Sequence, residues 1–194
     1  FNPVNAQYNP FTKITDDDFP QYHPAIDGDY VVYQDRRGGG VDDIYLYDIV
    51  SGTEIALTSD PAVTSVHPDI SGDRIVWQDN RNGNWDIYTY MISRPDLGAY
   101  PLIDFPGDQT SPAIHGNTLV WVDHRSDQFS ANIFMYDLST YDLTQITDDN
   151  DLQQYDPDVY ENYIVYGDGR NGNHDIYMYN TYTEKETQLT DDPA

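Results

Sequence analysis

The stretch "HPDISGDRIVWQDNRNGNWDIYTY", residues 67–90, admits two readings of its second half. Residues 79–90 have two aspartates bracketing asparagines and a glycine, as a calcium-binding loop between helices would. That loop needs Asp or Asn at its third and fifth places, Gly at its sixth and Glu at its twelfth. Here those places hold Arg81, Gly83, Asn84 and Tyr90, and no helical periodicity flanks them. The other reading is a hairpin. Asn82-Gly83, and again Asn171-Gly172, is the pair a tight β-turn with positive φ prefers. Asp79 and Asp86 then meet at the hairpin base, with Arg81 placed to pair with them. We read the stretch as a hairpin.

The same pattern recurs along the chain: "HPAIDGDYVVYQD" (23–35), "HPDISGDRIVWQD" (67–79), "SPAIHGNTLVWVD" (111–123) and "DPDVYENYIVYGD" (156–168). Pro24, Pro68, Pro112 and Pro157 are spaced 44, 44 and 45 residues apart. Two residues beyond each final aspartate stands an arginine (Arg37, Arg81, Arg125, Arg170). Then follow "DIYLYD" (43–48), "DIYTYM" (86–91), "NIFMYD" (132–137) and "DIYMYN" (175–180), and after a polar turn a short strand such as "TEIALT" (53–58) or "ETQLT" (186–190).

Each unit holds four short β-type runs separated by Gly, Asn, Asp or Pro. Runs such as "RIVW" and "IYLY" are apolar on both faces, so their sheets must be covered on both sides. Four-stranded sheets of about 44 residues stacked around an axis meet that demand, and the expected fold is all-β, a four-bladed β-propeller. A flat solenoid buries both faces too, but with shorter repeats and capped ends. The expected blades span about 16–58, 59–104, 105–147 and 148–190, within one domain over 11–194 that follows a tail at 1–10.

The Asp-x-Arg…Asp-Ile-Tyr hairpin, with its proline and Gly-Asp turn, resembles the TolB-like propeller repeat over roughly residues 11–190. Two units depart from that pattern: Glu161 replaces the turn glycine, and "SDQFSAN" (126–132) lacks its Gly. Family members commonly have more than four blades. The resemblance implies the fold and leaves function open, since propellers host binding, scaffolding and catalysis alike.

Thirty-four acidic residues against nine basic give a net charge of −25. Such a field repels phosphate backbones and anionic lipid heads, so partners are expected to be neither nucleic acid nor an inserted membrane. It attracts cations. All the acids except Glu54, Glu161, Glu184 and Glu186 are aspartate, a turn residue whose short carboxylate bonds nearby amides. The absence of cysteine excludes disulfides, thiolate metal sites and thiol nucleophiles. A start at Phe1 fits a matured secreted form or a trimmed chain. An acidic surface whose only lysines are Lys13 and Lys185 suits a secreted or cell-surface setting.

Two clusters are candidate metal sites. The residues preceding the repeat prolines (His23, His67, Ser111 and Asp156) should ring the mouth of a central channel. His23, His67 and Asp156 would form a divalent set there, with Asp69 and Asp158 two residues on. Alternatively these side chains bond the backbone where the innermost strand starts. The inter-blade loops "TDDDFPQYHP" (15–24) and "TDDNDLQQYDP" (147–157) gather Asp16, Asp17, Asp18, Asp148, Asp149 and Asp151, oxygen-rich surroundings of the kind calcium takes. Solvated charge is the plainer reading. No G-x-S-x-G elbow occurs, and His124 and His174 fall in hairpin segments. The insert "SRPDLGAYPLIDFPGD" (93–108) reads as a longer outer loop, and no enzymatic activity is expected.

"FTKIT" (11–15) copies the outermost strand of a blade and stands before the first unit, so that strand is present in surplus. It could be a fifth strand on the last blade, a mark of a longer propeller, or a strand donated to a neighbouring molecule's edge. The last option leads to a non-catalytic extracellular module that self-associates into surface assemblies or filaments by terminal strand exchange. The alternatives are a module binding a surface glycan or protein, and an enzyme using the channel mouth.

Overall fold

The computed structural model describes residues 13–37, 40–125, 131–148 and 154–191. They form four antiparallel sheets, each built from one contiguous segment. The first blade comprises β1 (Gln21–Asp27), β2 (Tyr30–Asp35), β3 (Asp43–Asp48) and β4 (Thr53–Ala56). The second has β5 (Ser65–Ser71), β6 (Arg74–Asp79), β7 (Asp86–Met91) and β8 (Tyr100–Ile103). The third has β9 (Gln109–His115), β10 (Thr118–Asp123), β11 (Asn132–Asp137) and β12 (Leu143–Gln145). The fourth has β13 (Gln154–Tyr160), β14 (Tyr163–Asp168), β15 (Asp175–Asn180) and β16 (Lys185–Gln188). This is the four-bladed, four-stranded architecture expected from the repeat. No terminus supplies a strand to a distant blade among the described residues.

The stretch over 79–90 is a hairpin. Asp79 pairs with Asp86 in the β6–β7 register, and Gly83 turns the chain at φ 98°. Arg81 folds back on Asp79, with Nε 2.8 Å from Oδ1 and Nη2 2.6 Å from Oδ2, while Asn82 and Asn84 hold Asp86 at 2.8 Å each. The two carboxylates are therefore satisfied separately. The Asp-x-Arg pair recurs in every blade, as Asp35–Arg37, Asp123–Arg125 and Asp168–Arg170. In each, the guanidinium lies 4.1–4.2 Å from the centre of an aromatic ring on the next strand: Tyr45, Tyr88, Phe134 or Tyr177. The indole N–H of Trp77 and of Trp121 donates to the same aspartate.

The insert over 93–108 is not only a loop. After a 3₁₀ turn (Pro95–Leu97) it supplies β8, the outer strand of the second blade, with Ile103 buried. Its proline, Pro101, is tolerated because β8 is an edge strand. At the β13–β14 turn, Glu161 takes the left-handed conformation (φ 51°) that Gly28, Gly72 and Gly116 take in the other blades. The missing glycine thus changes local strain, on the order of 1–2 kcal/mol, and not the turn.

Apolar seams lie between successive blades. Each has an aliphatic side from the earlier blade and an aromatic-rich side from the later one. Val32, Ile44 and Leu46 meet Ile70, Ile75, Trp77, Tyr88 and Tyr90. Val76, Ile87 and Ile103 meet Ile114, Leu119, Trp121 and Phe134. Val120, Val122 and Ile133 meet Val159, Ile164, Tyr166 and Tyr177. The innermost strands pack in the order β1, β5, β9, β13. Among the described residues no buried apolar cluster joins the fourth blade to the first, and β13 does not pack on β1 as its neighbours pack on each other.

Asp79 is fully buried and carries bonds from Arg81, Ser65 and Trp77. Burial alone would raise its pKa, but these donors outweigh it and hold the carboxyl below the usual Asp value. Asp79→Ala, which leaves Arg81 unpaired, is expected to cost about 3–5 kcal/mol in urea unfolding. Asp96→Ala, at an exposed pair with Arg94, should cost about 0–1 kcal/mol. The Asp79 contribution is present above the ordinary Asp range and is lost as pH falls through its lowered folded value.

Candidate functional site

The repeat prolines interrupt the β-ladder, because Pro has no N–H to donate. In every innermost strand the register slips there, between Tyr22 and Ala25, Val66 and Asp69, Thr110 and Ala113, and Tyr155 and Asp158. The residue before each proline is thrown into the left-handed region: His23 at φ 48°, His67 at 53°, Ser111 at 50° and Asp156 at 48°. A non-glycine residue there costs on the order of 1–2 kcal/mol, and strain of this kind gathers at functional sites. The neighbouring blade supports two of these bulges. Gln34 Oε1 accepts the His67 amide at 3.1 Å, and Gln78 Oε1 accepts the Ser111 amide at 2.8 Å. Val122 and Gly167 stand at the matching positions of the other two blades. These glutamines were missed from sequence because they differ between repeats.

The four residues converge as expected, lining an open funnel of about 410 Å³ with Asp69 and Asp158. The His23 and His67 rings meet edge to face with centroids 4.3 Å apart. The Nδ1 of His67 is buried without a hydrogen-bond partner. Burial, and then the like charge of His23, lower the His67 pKa, with Gln78 and Asp156 acting in the opposite sense. Asp69 is raised, first by burial and then by the charges of Asp158 and Asp27, against amide bonds from Ile114 and Ile70. The funnel thus offers two imidazoles, a hydroxyl and carboxylates on a strained rim. Among the described residues no hydrogen bond joins Ser111 to either imidazole.

The acidic loops are arranged differently. Asp16 pairs with Lys13. Asp17 accepts the Phe19 amide and the Gln21 side chain at 2.9 and 2.8 Å, and its other oxygen lies 3.2 Å from Arg37. Asp18 and Asp148 are exposed, and Asp149 and Asp151 lie outside the described residues. Among the described residues no group of three or more His, Asp or Glu side chains is disposed to hold a metal ion, including His23, His67 and Asp156. No helix there is long and apolar enough to cross a membrane. His174 packs edge to face on Tyr155 at 5.0 Å, and Tyr155 covers Gly167 so closely that a Cβ there would meet the ring at 2.2 Å.

No family model and no curated protein matches the chain. Solved structures do. TolB from Acinetobacter baumannii is similar with a TM-score of 0.71 at 19% identity, over 91% of this chain and 45% of that one. A puromycin-hydrolyzing peptidase from Mycobacterium tuberculosis gives 0.66 at 14% identity, over 88% and 29%. Oligopeptidase B from Leishmania major gives 0.67 at 12%, over 89% and 27%. The fold is thus a TolB-like propeller, and the chain spans less than half the length of these proteins.

His67 should titrate below 6.5 when followed by NMR of its ring protons. Removing the neighbouring imidazole in His23→Ala should move its midpoint up, and Asp156→Asn should move it down. Because the folded value is the lower one, stability falls as pH drops through 6.5 towards it, and His67→Gln should flatten that dependence. Ser111→Gly, which relieves the left-handed strain, should raise unfolding stability by about 1 kcal/mol.

Proposed function

We propose that this chain is a non-catalytic interaction module of a secreted or cell-surface setting, which associates with copies of itself into extended assemblies. One observation carries the reading. Among the described residues three apolar seams hold four blades together, and the outward sides of the first and fourth blades keep apolar side chains in solvent, with Ile26 65%, Ile176 41% and Leu189 51% exposed. Exposed apolar patches of this kind mark association surfaces. The expected route, terminal strand exchange through residues 11–15, rests on a segment of which Phe11 and Thr12 lie outside the described residues. Its remaining part, Lys13–Thr15, forms no strand.

A net charge of −25 works against bringing copies together, and divalent cations screen it. Calcium bound diffusely by the acidic loops is therefore the cofactor we propose. A second reading is favoured by the strained rim at the channel mouth. There the protein would bind a surface glycan or a protein segment, and His67→Ala would weaken that capture.

The mass from light scattering should rise with protein concentration, more steeply with millimolar calcium and less steeply with chelator. A compact monomer at every concentration, with and without calcium, would overturn the self-association reading.

A further inference from the structure

The repeat supplies the missing halves of one more seam. On every blade the side facing its successor presents an aliphatic set, and the strand register places Val165, Ile176 and Met178 of the fourth blade in that set, beside Leu189. Leu189 donates its amide to Ile176 as Leu57 does to Ile44 and Ile146 to Ile133, so the three occupy one position. Ile176 is 41% exposed, whereas its counterparts Ile44, Ile87 and Ile133 are wholly buried. The side facing the predecessor presents the aromatic-rich set. On the first blade that set is Ile26, Val31, Tyr33 and Tyr45. Ile26 is 65% exposed, against 4–6% for Ile70, Ile114 and Val159 in the same place.

At one seam a polar pair adds to this complementarity. Between the second and third blades, Asp69 Oδ2 accepts the amide of Ile114 at 2.7 Å while its Oδ1 holds the Ile70 amide. Asp158 is the fourth blade's copy of Asp69. Its Oδ1 holds the Val159 amide in the same way, and the residue is exposed. The matching amide on the first blade is that of Ile26. The two end faces are thus unlike each other and fitted to each other, aliphatic with an acceptor against aromatic with a donor.

We infer that the leading face of the fourth blade (Val165, Ile176, Met178, Leu189) docks on the trailing face of the first blade of a second copy, with Asp158 accepting the Ile26 amide. This deepens the self-association reading and rests on it. The contact is heterologous, so each copy keeps one free face of each kind and addition continues until geometry closes it. The segment Lys13–Thr15 holds part of the seat. Ile14 lines one cavity with Val31 and Tyr33, and Thr15 bonds Gln21 at 3.3 Å as Thr147 bonds Gln154 at 3.1 Å in the seam between the third and fourth blades. Leu189 of the incoming copy takes the place of Ile14, so the N-terminal segment competes with assembly.

Ile26→Glu and Ile176→Glu each spoil one face at an exposed position, where folding is little affected and circular dichroism can check it. Each alone should weaken self-association at least about 100-fold, because a charge would be buried in an apolar seam. Mixed, each retains the face the other lacks, and sedimentation should show a complex of two chains. Asp158→Ala should weaken association by about tenfold, and removal of residues 1–15 should tighten it. Wild-type assemblies that persist in both Glu variants, variants that fail to pair on mixing, or assemblies abolished by removing residues 1–15 would overturn the seam while leaving self-association standing. A wild-type chain that is monomeric throughout would overturn both.

Discussion

The buried aspartate that ends the second strand of each blade is the constraint on which the rest of the structure depends. Asp35, Asp79, Asp123 and Asp168 are at most 1% exposed. A carboxylate that deep is tolerable only when paired and hydrogen-bonded. The arginine two residues on folds back to meet it, and this fixes the path of the chain out of the strand. The guanidinium then lies on the aromatic ring of the third strand, and in the second, third and fourth blades that ring (Tyr88, Phe134, Tyr177) is part of the seam with the preceding blade. One electrostatic requirement therefore sets the hairpin, orients the aromatic and builds half of an inter-blade core.

Prolines do the complementary work at the centre. Each breaks the ladder of an innermost strand and forces its predecessor into the left-handed region, which turns four polar side chains onto one funnel. The strain is held because the flanking strand pairs and, for two blades, a glutamine from the neighbour over-determine the backbone. The mouth is thus chemically varied on a repetitive scaffold: the bulge repeats, while the residue it presents does not.

The preference for aspartate over glutamate has a local cause as well as an electrostatic one. Asp48 and Asp137 accept amides two and three residues on and are held below the usual carboxylate range, Asp48 chiefly by the Ser51 amide and Asp137 by the Ser139 hydroxyl. Asp73 accepts from Ser93, and Asp108 from the Trp85 amide. Many of the acids are turn braces, which a glutamate's longer side chain would make less well. The large negative charge is partly a by-product of building many tight turns.

The sequence by itself determined the unit. The 44-residue spacing, the Asn-Gly turns, the Asp-x-Arg pairs and the doubly apolar strands are local patterns, so hairpin, blade and the gathering of His23, His67, Ser111 and Asp156 could be read from them. The tertiary structure alone decided three things. It placed β8 inside what reads as a loop, because "YPLI" is short and carries a proline and gains strand character only from its pairing with β7. It put the mouth residues in left-handed backbone, which follows from the collision of a bulge with a proline and not from their identity. It also separated the outer faces of the first and fourth blades. The angle between blades comes from how aliphatic and aromatic side chains fill each seam, and that volume is a property of packed pairs, which no single repeat contains.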